Sequence, residues 1–204
     1  AGIVRADAPL NTDSARVFSL SVASGDPSPT GVVLWTRIDP SAHRSGQALF
    51  VQVAHDPDFL QLAFESVVES QHIKADRDFT VSIDTDGYLE PSIRYYYRFI
   101  YDNTVSRTGR CRTAPPYGAE ISKLKLGLLT CQDFTNGYYG ALNHVANDDS
   151  LDFVLHLGDF IYETAGDPRF QSLPFDDRRI ILPSDGIVAL ENAHPFVREL
   201  WGRY

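Results

Sequence analysis

The sequence predicts two domains, an all-β sandwich followed by an α/β unit on parallel strands. Three observations predict it. Across residues 17–115, about seven short apolar or alternating runs are separated by regular turn signals, the pattern of a β-sandwich. Across residues 124–163, two apolar runs flank a helical stretch, the strand–helix–strand unit of a parallel sheet. Between the two regions, Ala114-Pro115-Pro116-Tyr117-Gly118-Ala119 is a stiff, donor-poor connector. The boundaries are a lead-in over residues 1–16, the sandwich over 17–115 and the α/β unit over 116–204.

The lead-in has no apolar core of a signal peptide. The chain contains no methionine, so Ala1 is expected to be a processed or cut end, left by removal of a secretory signal or by trimming. Residues 17–23 alternate loosely, and Gly25-Asp26-Pro27-Ser28-Pro29-Thr30-Gly31 is dense turn chemistry. Strands are predicted over 32–38, with Trp35, and over 48–54 and 79–83. Residues 57–70 are ambiguous between helix and strand. Asp84-Thr85-Asp86-Gly87 is a turn. Residues 94–101 alternate, placing Tyr95, Tyr97, Phe99 and Tyr101 on one face. Asp102-Asn103-Thr104 then turns the chain into a strand over 106–113. Leu89-Glu90-Pro91-Ser92-Ile93-Arg94-Tyr95 has the Leu-x-Pro-x-x-x-Tyr spacing of fibronectin type III domains. There the tyrosine hydroxyl bonds back to upstream backbone as a tyrosine corner. The first domain is thus expected to be a fibronectin III/Ig-like sandwich, the alternative being a strand with ordinary core aromatics.

In the second region, the run over 124–130 ends in Cys131-Gln132-Asp133. A helix is predicted over 137–150, with Asn136 as N-cap and Tyr138, Leu142 and Val145 on one face. The second run ends in Leu155-His156-Leu157-Gly158-Asp159-Phe160-Ile161-Tyr162-Glu163. Residues 164–186 read as loop and 187–204 as helix. Parallel strands leave their carboxyl ends side by side, where open α/β sheets bind ligands. That puts Cys131, Asp133, Asp159 and Tyr162 on one rim. A thiolate, a carboxylate and a phenolate meeting there suit a hard, highly charged metal ion, and ferric iron tolerates mixed O and S donors.

Blander roles compete. Cys131 could be a buried thiol or half of a disulfide with Cys111, Asp159 a loop cap and Tyr162 a core tyrosine. Asp133 suits a supporting or loop-capping role better than ligation. His156 reads as a satisfied core histidine and His144 as a helix-face residue. His43, His55, His72 and His194 belong to no constellation.

Composition bounds the partners. Hydrophobic content of 43% and charged content of 22% are those of a soluble globular protein. No apolar run approaches the ~18 residues of a membrane span. A net charge of −9 with no basic stripe argues against nucleic-acid binding by phosphate neutralisation. An acidic protein can still bind phosphate esters where a metal supplies local positive charge.

Several stretches resemble one family. Phe18-Ser19-Leu20-Ser21-Val22-Ala23-Ser24-Gly25-Asp26-Pro27, Val33-Leu34-Trp35-Thr36-Arg37 and Gly109-Arg110-Cys111-Arg112-Thr113-Ala114-Pro115 are similar to the N-terminal part of alkaline phosphatase D / phospholipase D-type metallophosphoesterases. Cys131-Gln132-Asp133-Phe134-Thr135-Asn136-Gly137-Tyr138-Tyr139 and His156-Leu157-Gly158-Asp159-Phe160-Ile161-Tyr162-Glu163 resemble its first two metal motifs. The resemblance implies a fibronectin-like domain followed by a calcineurin-like αββα phosphoesterase domain. It implies an iron site using Cys131, Asp159 and Tyr162, with Asp159 bridging to a second metal such as calcium. It implies hydrolysis of phosphate monoesters or diesters by a hydroxide activated at the metal, in an exported enzyme. The family's following Asp-His-Glu motif and later histidines do not occur in these 204 residues. The expectation is therefore the N-terminal portion of such an enzyme, inactive until the remainder completes the site. A fibronectin-like binding protein with a degenerate α/β lobe is the alternative.

Overall fold

A computed structural model describes residues 14–133 and 138–160. It is mostly β-sheet with one α-helix and divides into two compact units, Ala1–Ile121 and Ser122–Tyr204. Asn136, the loop over 164–186 and the helix over 187–204 lie outside the described residues.

The first unit carries β1 (Val22–Ser28), β2 (Gly31–Arg37), β3 (Leu49–Ala54), β4 (Leu62–Val68), β5 (Thr80–Asp84), β6 (Arg94–Tyr101), β7 (Thr104–Val105) and β8 (Gly109–Arg112). One antiparallel sheet has the order β1-β2-β5; the other has β4-β3-β6-β7, with β8 also pairing β6. The register of β3 on β6 sets Leu49 opposite Tyr101, Val51 opposite Phe99 and Val53 opposite Tyr97. All six are buried, as the period of two in β6 requires. Leu34 of β2 and Val81 of β5 join them in one core, so the two sheets close face to face. Each such buried side chain stabilises by roughly 1.5–3 kcal/mol relative to exposure.

The tyrosine corner forms. Fully buried Tyr95 accepts a hydrogen bond through its hydroxyl from the Glu90 N–H at 2.9 Å. Thr113 closes the same loop, donating from Oγ1 to the Glu90 carbonyl at 2.6 Å and accepting the Ile93 N–H at 3.1 Å. Tyr95→Phe removes the acceptor and strands the Glu90 N–H. It should lower unfolding free energy by about 1–3 kcal/mol in urea denaturation, whereas Tyr88→Phe, at an exposed ring, should be near neutral.

Local departures from the predicted elements have physical causes. Val17 and Phe18 follow a short 3-10 turn (Ser14–Arg16) and pack into the core rather than beginning a strand. β1 instead runs on through Gly25-Asp26-Pro27-Ser28, with an irregular register between Gly25 and Ser28 and Asp26 at φ 47°. The turn residues thus sit in the bulged end of a strand. The ambiguous 57–70 stretch resolves into a turn and β4. Asp56 organises that turn by accepting the N–H groups of Asp58, Leu60 and Gln61. The strand predicted over 106–113 shortens to β8, and a separate short strand, β7, lies before it at Thr104–Val105.

Burial pushes the Cys111 thiol and the Tyr97 phenol each up to about 12, from ordinary values of 9.0 and 10.0. Both are neutral when protonated, so above those ordinary values the unfolded chain sheds protons that the folded chain keeps. The associated stability is complete below pH 9 and is lost as pH rises toward about 12. Melting temperatures should fall across that window, and Cys111→Ala should make the fall shallower.

The second unit carries β9 (Leu126–Leu129), α1 (Gly140–Ala146) and β10 (Phe153–His156). β10 pairs β9 in parallel, from Phe153 opposite Leu126 to His156 opposite Leu129. The predicted strand–helix–strand order therefore holds. The helix is shorter than the predicted 137–150, because Tyr139 precedes it at φ 56° and polar Asn147 closes it. Leu142 and Val145 are half-buried on one side; Tyr138 lies off the helix and is 60% exposed. Among the described residues, no helix is long and apolar enough to cross a membrane.

Candidate metal centre

The centre grows from the parallel register. The Leu157 N–H still donates to the Leu129 carbonyl at 2.8 Å, one step beyond the paired strands. The Cys131 N–H then donates to the Gly158 carbonyl at 3.0 Å, and the Gln132 N–H to the Asp159 carbonyl at 2.8 Å. The ladder carries on past both strand ends and ties the two turns together. Gly158 has φ +130°, which side chains rarely adopt, so the glycine before Asp159 is a backbone requirement.

This stitching brings two residues 28 positions apart into contact. The Cys131 thiol donates to Asp159 Oδ2 at 3.2 Å. Both lie in left-handed backbone, Cys131 at φ 58° and Asp159 at φ 52°. Side chains other than glycine enter that region seldom, and such strain concentrates at functional sites. Both residues are exposed at the rim. A hollow of about 290 Å³ opens beside Cys131, lined by Thr130, Gln132, Asp133, Tyr138 and Tyr139 among others. Asp133 is half-buried in that wall.

The donor pair suits a shared cation. With metal–sulfur and metal–oxygen bonds of roughly 2.3 Å and about 2.1 Å, two donors on one ion stand about 3.1–3.6 Å apart. Tyr162, the third predicted donor, lies outside the described residues. Among the described residues, no group of three His, Cys, Asp or Glu side chains could hold a metal. Both thiols are free, Cys111 buried in the first unit and Cys131 exposed, so the predicted alternative of a bridge between them is not the state observed.

His156 departs from the expectation of a satisfied core histidine. It is half-buried, and its Nδ1 accepts the Gly158 N–H at 3.4 Å. Its ring meets Phe160 edge-on at 5.1 Å, but its buried Nε2 has no partner among the described residues. Sequence reasoning missed Thr130 and Gln132. The Thr130 hydroxyl lies 3.3 Å from both the Gly158 carbonyl and Cys131 Sγ. Gln132 is buried at 7% exposure while its neighbours on the rim are open. Their only sequence signal is adjacency to Cys131.

Family models for the N-terminal domain of PhoD-like phosphatases and for PhoD-like phosphatase match residues 5–115 and 126–191. Alkaline phosphatase D of Bacillus subtilis (strain 168) is 38% identical over 156 residues, covering 74% of this chain and 26% of that protein. A solved structure of PhoD aligns with a TM-score of 0.66 at 35% identity, covering 74% of this chain and 29% of that one. The chain thus spans little more than a quarter of the relatives it matches. With both family models matched in order along most of its length, the chain belongs to the PhoD-like phosphatase family.

Proposed function

We propose that this chain is part of a metal-dependent phosphoric ester hydrolase, a phosphomonoesterase or phosphodiesterase, acting outside the cytoplasm. The observation that carries the reading is the 3.2 Å contact between Cys131 and Asp159 at the ends of two parallel strands. In this reading the first unit is a fibronectin-like domain. The second begins a calcineurin-like αββα phosphoesterase domain, completed by further residues of the same protein.

Cys131, Asp159 and Tyr162 would hold ferric iron, with Asp159 shared with calcium or another divalent ion. Bound there, the cations would supply Lewis acidity toward phosphate oxygens and acidify a water at working pH. The chain's own residues provide the frame. Cys131 and Tyr162 ligate as anions, so each gives up a proton on binding. The backbone bonds from Cys131 and Gln132 fix the two donors relative to each other. Asp133, in the wall of the hollow, supports the arrangement from outside the ligand set.

The full-length protein should contain iron and show a visible absorbance from phenolate-to-ferric charge transfer. Tyr162→Phe should abolish that band, and Cys131→Ser should lower the iron content measured by mass spectrometry. A colourless, metal-free protein, inert toward p-nitrophenyl phosphate esters, would instead establish a non-catalytic binding module. The 204 residues by themselves should bind metal weakly and turn over no ester, because three donors on one rim do not close a two-metal site and the chain spans only about a quarter of its relatives' length.

A further inference from the structure

The Gln132 side chain has no task in the chain's own bonding. Its backbone N–H donates to the Asp159 carbonyl at 2.8 Å, which seats the residue beside the proposed ligands. The residue is only 7% exposed, yet its carboxamide forms no hydrogen bond among the described residues. Buried polar groups are nearly always bonded, and each exception calls for an explanation. Burial does not cut this amide off, because it is not among the sealed polar atoms without a partner. The open space that Gln132 borders is the hollow of about 290 Å³ beside Cys131.

The oxygens of an ionised phosphoryl group accept hydrogen bonds, so its seat requires donors. Among the described residues, no basic side chain lines this hollow. The Thr130 hydroxyl already stands 3.3 Å from the Gly158 carbonyl. Asp133, Tyr138 and Tyr139 hold interactions of their own, and Cys131 and Asp159 are assigned to the cation. Gln132 brings two N–H donors on a neutral group. We propose that Gln132 is a substrate-binding residue, its side-chain amide donating to a non-bridging oxygen of a phosphate ester seated in the hollow. The inference rests on the metal-dependent hydrolase reading above. A neutral donor to an ionised oxygen makes a strong, charge-assisted bond. One residue from Cys131, the amide meets the phosphoryl end of the ester rather than its alcohol portion.

The test uses the full-length, metal-loaded protein, with inorganic phosphate in titration calorimetry and p-nitrophenyl phosphate esters in turnover. Gln132→Met keeps the length of the side chain and removes both donors. It should weaken phosphate binding roughly tenfold or more and raise KM similarly. Iron content, the visible band and the melting temperature should match the parent, which separates this role from metal binding and from packing. Gln132→Glu, of the same shape, should bind phosphate more weakly still, because its carboxylate repels the anion. If Gln132→Met fails to fold, Gln132→Glu decides the matter. Unchanged phosphate affinity in a folded variant would overturn the proposal; combined with a lowered kcat, it would assign the amide to the attacking water instead. Loss of iron in step with phosphate affinity would also overturn it, since the amide would then act through the metal. A parent protein that carries no metal and binds no phosphate would sink the hydrolase reading itself. A metal-loaded, active parent with an indifferent Gln132→Met would sink this assignment alone.

Discussion

Asp159→Asn in the full-length protein should lower kcat/KM for p-nitrophenyl phosphate on the order of a thousandfold, the effect expected when a carboxylate shared between two cations loses its charge. The substitution is chosen for what it leaves intact. Asn has the size of Asp and is the residue that best shares its tolerance for left-handed backbone. The φ of 52° at this position and the Gln132 bond to its carbonyl should therefore survive. What disappears is the negative charge and one oxygen of the proposed metal site. The melting temperature should move little while iron and calcium content fall. Asp133→Asn, in the wall of the hollow, should cost only about 10–100-fold, the range for groups that orient ligands rather than bind metal. Asp159→Asn activity within about tenfold of the parent would remove Asp159 from the metal site.

Gly31→Ala should strongly destabilise the first unit, costing about 3 kcal/mol or more, at the upper end of overpacking effects. A Cβ at Gly31 would lie 2.4 Å from the Cα and N of Asp86 and 2.6 Å from the carbonyl carbon of Thr85. These are backbone atoms, and they are pinned. Fully buried Thr85 accepts the Val32 N–H at 2.9 Å and donates to the Val32 carbonyl at 2.8 Å. The Asp86 carboxylate accepts from the hydroxyls of Ser28 and Thr30. Neither strand can yield without breaking those bonds. Gly25→Ala makes the contrast, since a Cβ there meets nothing within 4 Å. Equilibrium urea denaturation should separate the two; equal small effects would show that β2 and the Asp86 turn move apart freely.

The strands that sequence reading located best are those whose alternation is enforced on both sides. β6 is the clearest case, because four large aromatics at every second position leave one way to bury them. The tyrosine corner was legible for the same reason, three residue types at fixed spacing with one geometry that satisfies them. β1 was misplaced because glycine, aspartate and proline signal a turn whether they end a strand or bulge it. At the centre, the facing strand ends and the glycine turn could be read from two apolar runs and Gly-Asp. The left-handed conformation of Cys131 could not, since nothing local favours it for cysteine. It follows from the cross-strand bonds at Gly158 and Asp159, which become visible only once the register is known.

The two cysteines occupy opposite chemical worlds, one sealed among aromatic rings and one open at the rim. Reactivity toward electrophiles follows the accessible thiolate. Of these two thiols, a maleimide or iodoacetamide reagent applied to the folded protein should therefore alkylate Cys131 and spare Cys111. That gives the proposed centre a built-in attachment point for a fluorophore or spin label. Protection of that position by added metal would report occupancy directly, without altering a codon.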